Sequence, residues 1–169
     1  MKIKALCLAG CVYSTTLLAA EEFHRDWMVN TDGAEYYFAA TVNNSNDIFG
    51  KYCYFDSEKC LFLVGVDITC EKGFEYPALV NSEYAAIHVT LHCGDTFGSQ
   101  NVMVLEPYDD IDLAILQGSQ FGIAVPMESG KFQVSRFSLS GAADAIESMM
   151  DAAIRHLNKK RTLPENEQL

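Results

Sequence analysis

The chain has 169 residues, 49% of them hydrophobic, with 23 acidic against 12 basic side chains and a formal net charge of −11. That length suits a single domain able to bury its own core. The acid excess excludes nucleic-acid phosphates and anionic lipid surfaces as natural partners and favours a basic protein partner.

The first twenty residues read as an export signal. Lys2 and Lys4 form a basic start, Ala5 to Ala20 is almost wholly apolar or small, and Glu21 and Glu22 follow at once. The stretch falls short of a membrane span, which takes about 20 apolar residues. Cleavage after Ala20 is expected, releasing the remainder to the periplasm or the exterior. Leu8-Ala9-Gly10-Cys11 spells a lipoprotein-processing box, an alternative route that would lipidate Cys11. It is disfavoured because the apolar run continues past Cys11 to Ala20. Without the signal, ten basic residues face 23 acidic ones, a net of −13. Cys7 and Cys11 leave with it, so Cys53, Cys60, Cys70 and Cys93 remain, an even number of thiols in an oxidising compartment.

In chain order, Trp27–Thr31 and Ala34–Val42 flank the turn dipeptide Asp32-Gly33 and predict a hairpin. After the polar loop 43–47, Ile48–Phe55 and Cys60–Thr69 predict a second hairpin around Asp56-Ser57-Glu58-Lys59. Pairing about Asp56-Ser57 sets opposite one another residues whose numbers sum to 113, which Cys53 and Cys60 do. Four cysteines allow three connectivities; this register favours Cys53–Cys60 and leaves Cys70 for Cys93. Ala85–Cys93 and Gln100–Glu106 are further strands. Pro107, an acidic first turn of Asp109, Asp110 and Asp112, and Gly118 at the far end predict a short helix with the proline at its first position. Phe121–Val125 and Lys131–Leu139 make a last hairpin. Ser140 is placed to cap a helix from about Gly141 to Leu157, whose Ala142, Ala145, Ile146, Met149, Ala153 and Leu157 form one apolar stripe. The sum is one α+β domain over residues 21–158, a mainly antiparallel sheet of about seven strands with two helices and two disulfide staples. A polar tail, residues 159–169, follows.

No catalytic motif accompanies this frame. The cysteine spacings are too long for a zinc knuckle. His88 and His92 alternate with Ile87, Val89, Leu91 and Cys93, which argues a strand and sets the imidazoles about 13 Å apart, too far to share an ion. Asp109-Asp110 and Asp112 lack the glycine and distal glutamate of a calcium loop. No serine sits in a nucleophile elbow, and no glycine run resembles a phosphate loop. Carboxylates are too abundant for any pair to single out a glycoside-hydrolase site. No cofactor and no enzymatic activity are expected.

Candidate contact residues are instead aromatic and acidic. Strand alternation puts Tyr36 and Phe38 on one face and Tyr52 and Tyr54 on one face, with Asp56 and Glu58 in the adjoining turn. Tyr52, Tyr54, Asp56 and Glu58 are therefore the expected partner-binding set. The reading is an exported protein binder, an inhibitor or immunity protein that plugs a basic cleft. A surface adhesion protein and a hydrolase with an unrecognised carboxylate site are the alternatives.

Ile115-Leu116-Gln117-Gly118, a strand pair, and then Phe137-Ser138-Leu139-Ser140-Gly141-Ala142-Ala143-Asp144-Ala145-Ile146 resemble the invasion-associated locus B family of exported bacterial proteins. The match covers about a third of the chain and consists of packing motifs. The resemblance implies a secreted β-rich domain linked to host-cell invasion and carries over no catalytic residue.

Overall fold

The computed structural model describes residues 22–83, 86–98, 100–127 and 129–162. The expected export signal and Cys11 lie outside the described residues. Ten strands and two helices follow in the order β1 (Glu22–His24), β2 (Trp27–Asn30), β3 (Tyr36–Val42), β4 (Ile48–Tyr54), β5 (Lys59–Val66), β6 (Glu75–Asn81), β7 (Ala86–Phe97), β8 (Gln100–Glu106), α1 (Tyr108–Gln117), β9 (Gln120–Pro126), β10 (Phe132–Ser138) and α2 (Ala142–Thr162). All pairings are antiparallel in one sheet of order β1-β2-β3-β4-β5-β8-β7-β6-β9-β10.

The α+β class stands, but the sheet has ten strands, not about seven. Two strands escaped the pattern for separate reasons. The three residues of β1 are too short for alternation to show. Strand β6 carries Pro77, which argues against a central strand; here β9 pairs only with Leu79–Asn81, so Pro77 sits on a part of β6 that β9 does not reach.

The sheet rolls up on its own side chains. Phe49 of β4 stacks on Phe121 of β9 at 4.3 Å between ring centroids, although four strands lie between them in the sheet. Trp27, Phe62 and Phe137 meet the same ring. All five rings are fully buried and form the centre of the core. The two ends of the sheet are tied where they meet. The Trp27 indole donates to the Ser138 carbonyl at 2.8 Å, Ser138 donates to Asp26 at 2.6 Å, and buried Ser135 donates to Asp47 at 2.7 Å.

Both helices pack on the inner face. The stripe expected for α2 is the one buried, with Ala142, Ala145, Ile146, Met149 and Ala153 inside and Leu157 packed against them. Its start is a backbone turn. Gly141 adopts φ +88°, and a Cβ there would lie 1.9 Å from the His24 carbonyl oxygen, so the chain passes α2 against the β1–β2 turn only with glycine at this point. The Ser140 amide donates to Ser138 Oγ at 3.2 Å. The helix runs through Thr162, into the stretch expected to be a tail, and residues 163–169 lie outside the described residues.

Pro107 occupies the cap position before α1 and not its first helical position. Asp109 and Asp110 form the acidic first turn, while Asp112 lies beyond it and bonds Lys51 Nζ at 2.8 Å. Lys51 belongs to β4, faces inward and is 4% exposed, with its ammonium 5.2 Å from the Phe62 ring centre and 4.9 Å from that of Tyr108. The first hairpin is wider than Asp32-Gly33 suggested: Met28 pairs with Ala40 and Asn30 with Phe38, so the turn centres on Ala34.

Candidate functional site

Both faces of the sheet are apolar across β3, β4, β5 and β8, and among the described residues the helices cover only the inner one. A continuous apolar run such as Leu61-Phe62-Leu63-Val64 in β5 is what a strand buried on both faces requires. Phe62 and Val64 point to the core, and Leu61 and Leu63 point the other way. The outer side chains line a groove of about 640 Å³.

Register builds this groove in rows. Tyr36 stands opposite Tyr54, and Phe38 opposite Tyr52, which stands opposite Leu61. In the next row Met28, Ala40, Gly50, Leu63 and Val104 lie side by side, followed by Val42, Ile48, Gly65 and Val102. Small residues in the third row make the surface concave. A Cβ on Gly50 would stand 2.5 Å from the Ala39 carbonyl and 2.6 Å from the Ala40 Cβ, so strands β3 and β4 approach there as only glycine permits. Aromatic contacts wall one end: Phe38 stacks on Tyr52 at 5.2 Å, and Tyr36 leans on Tyr54 at 5.2 Å and on Tyr52 at 5.9 Å.

Two of the four expected contact residues, Tyr52 and Tyr54, line the groove. Burial, and then the neighbouring Tyr36 and Tyr54, push the Tyr52 phenol well above its ordinary range. Tyr54 is raised by burial and then by Tyr36, Asp56 and Glu35. Asp56 accepts a hydrogen bond from the Ser57 amide at 2.6 Å. Glu58 turns away from the groove and pairs with Arg161 of α2. The carboxylates Asp26 and Asp95 and the cation Arg25 border the rest of the groove, and Asp95 pairs with Lys72.

Met28, Leu61, Leu63 and Val104 were not among the candidate contact residues. The sequence signal for the β5 and β8 members was the failure of alternation: Cys60–Val66 of β5 and Val102-Met103-Val104-Leu105 of β8 run apolar without a break, which marks a second face in need of cover.

The remaining candidates are structural. Cys53 bonds Cys60 across the β4–β5 pair at the expected register, Cα–Cα 4.0 Å, and Cys70 bonds Cys93, Cα–Cα 6.0 Å. Such bonds persist in an extracytoplasmic compartment. His88 and His92 lie on β7, and His92 stands between Glu75 at 3.5 Å and Glu106 at 3.1 Å. Among the described residues no three His, Cys, Asp or Glu side chains converge as a metal site. None of the described helices is long and apolar enough to cross a membrane.

No protein-family model and no curated protein sequence matches the chain. A solved structure does: that of invasion associated protein B from Bartonella henselae is similar with a TM-score of 0.59 at 11% identity, over 79% of this chain and 97% of that one. The likeness of fold thus extends well beyond the C-terminal third that carries the sequence resemblance, and the chain shares the fold of that protein.

Proposed function

We propose that the chain is an exported, non-enzymatic binding domain that masks a basic protein partner, as an inhibitor or immunity protein does. The observation that carries this reading is the apolar, aromatic-walled groove with carboxylates along its border, set on a sheet that two disulfides tie. Large aromatic side chains in a concave apolar site supply most of the affinity at protein interfaces, and the acid excess steers a basic partner toward them. Tyr52 and Tyr54 are the anchors and Asp56 the neighbouring charge. Glu58, engaged by Arg161, contributes less.

The test is capture of a stoichiometric partner at low salt by the disulfide-intact protein and by Tyr54→Glu. The native chain should retain the partner, lose it as salt rises, and bind it more weakly once Tyr54 is replaced. Retention indifferent to both changes would remove the reading. Turnover of a peptidoglycan, peptide or ester substrate would remove the non-enzymatic part.

Similarity to an invasion associated protein favours a second reading, an adhesion or invasion-type protein at the cell surface. Fractionation separates the two, since material confined to the soluble periplasm counts against surface display.

A further inference from the structure

We infer that the occupant of the groove is one amphipathic, basic α-helix of the partner, docked as a third layer on the outer face of β3, β4, β5 and β8. This deepens the binding-domain reading and rests on it.

Backbone chemistry decides the type of element. Strands β3, β4, β5 and β8, which floor the groove, are interior to the sheet, with β3 held between β2 and β4, β4 between β3 and β5, β5 between β4 and β8, and β8 between β5 and β7; the edge strand β1 adds Phe23 at the rim. Their amides and carbonyls are spent in these ladders. An extended peptide lying on this face would find no ladder to join and would bury its own N–H and C=O groups unpaired, which costs the free energy of each lost bond. A helix satisfies its backbone internally and offers a continuous apolar stripe, which is why helices cover sheet faces.

Dimensions agree. From the Tyr54 row to the Ile48 row is six residues of β4, about 20 Å at about 3.3 Å per residue. A helix of about 13 residues has that length. Four strands about 4.8 Å apart give a width that takes a single helix of about 10 Å diameter.

Charge selects the polar face of that helix. Asp26 borders the groove, Asp95 borders it in a pair with Lys72, and Asp56 follows Tyr54 by two residues in the adjoining turn. Arg25 is the one cation among the groove-lining residues. Lysines or arginines flanking an apolar stripe would meet these carboxylates while the stripe covers Phe38, Leu61 and Leu63.

The probe is a labelled peptide of about 14 residues built of leucine and lysine in helical order. Its controls are the same peptide with glutamate for lysine and a leucine–lysine peptide in strict alternation, which favours a strand. The full chain, exported through its own signal and with both disulfides verified by mass, is titrated with each. The helical leucine–lysine peptide should bind one to one, about tenfold tighter than either control, and weaken about tenfold between low and high salt. Phe38→Glu should lower that affinity by about tenfold or more. Val42→Glu, at a groove position already 54% exposed and so tolerant of charge, should do the same in a protein whose fold is intact.

Equal binding of the acidic helix, preference for the alternating peptide, or indifference to Val42→Glu would each overturn the inference. So would displacement of the peptide by uncharged phosphatidylcholine vesicles, which would assign the groove to lipid. A natural partner lost on Val42→Glu without any helix preference among the probes would leave the binding-domain reading standing and remove only the helix.

Discussion

Lys51 and Asp112 form an ion pair whose two halves sit in different environments, and the difference predicts an asymmetric response to mutation. The Lys51 side chain is 6% exposed and the Asp112 side chain 33% exposed. Asp112→Ala leaves an ammonium buried in the core with only the rings of Phe62 and Tyr108 as partners. Orphaning one member of a buried pair costs about 3–5 kcal/mol, and because Asp112 is itself partly exposed the lower end, about 3 kcal/mol, is expected. Lys51→Met keeps the apolar stem against the core and leaves a carboxylate that still reaches water, so the loss should be about 1 kcal/mol. The double variant, with no unpaired buried charge, should be more stable than Asp112→Ala alone. Urea unfolding followed by the Trp27 signal gives these differences from the midpoints at constant slope. A Lys51→Met loss equal to or greater than that of Asp112→Ala would refute the assignment of Lys51 as the desolvated partner.

Three further outcomes are expected. Gly50→Ala should destabilise by about 2–3 kcal/mol and abolish peptide binding in the groove, because its Cβ would meet backbone and side chain of β3 within 2.7 Å; a neutral effect in the same urea assay would show that the strands can part. Removing the Cys70–Cys93 bond, which spans 23 residues, should cost about 1 kcal/mol more than removing Cys53–Cys60, which spans 7, from loop-closure entropy of about 3.4 against about 2.4 kcal/mol; paired Cys→Ser variants measure it, and the opposite ranking would contradict it. Tyr52 is held neutral in the fold above the pH at which an unfolded tyrosine ionises, near 10. The native state therefore keeps a proton that the unfolded state has lost. Its contribution is complete below about pH 10 and falls as pH rises beyond that. Tyr52→Phe should flatten this alkaline decline in a stability-against-pH series, and an unchanged slope would show that Tyr52 is not the group responsible.

Local periodicity determined much of this protein by itself. The register of β4 and β5 was legible because a short polar turn fixes the sum of paired residue numbers, and the Cys53–Cys60 bond followed from it. The buried stripe of α2 was written in a 3.6-residue repeat that depends on nothing outside the segment. The tyrosines of the groove were legible as a face for the same reason.

Only the tertiary structure decided the rest, because it joins residues that local pattern cannot relate. Pro77 hides β6 until the neighbour on its other side is seen to stop short of it. Lys51 shares its face of β4 with buried Phe49 and Cys53, and its counter-charge, Asp112, comes from 61 residues away on α1. Glu58 was expected at the contact surface, but Arg161 extends from a helix longer than its apolar stripe foretold and takes that carboxylate. The groove itself exists because Gly50 and Ala40 meet across strands and leave a floor between bulkier rows. Alternation assigns each side chain to a face. Which face the helices cover, and which the described helices leave uncovered, depends on the way the sheet rolls around Phe49.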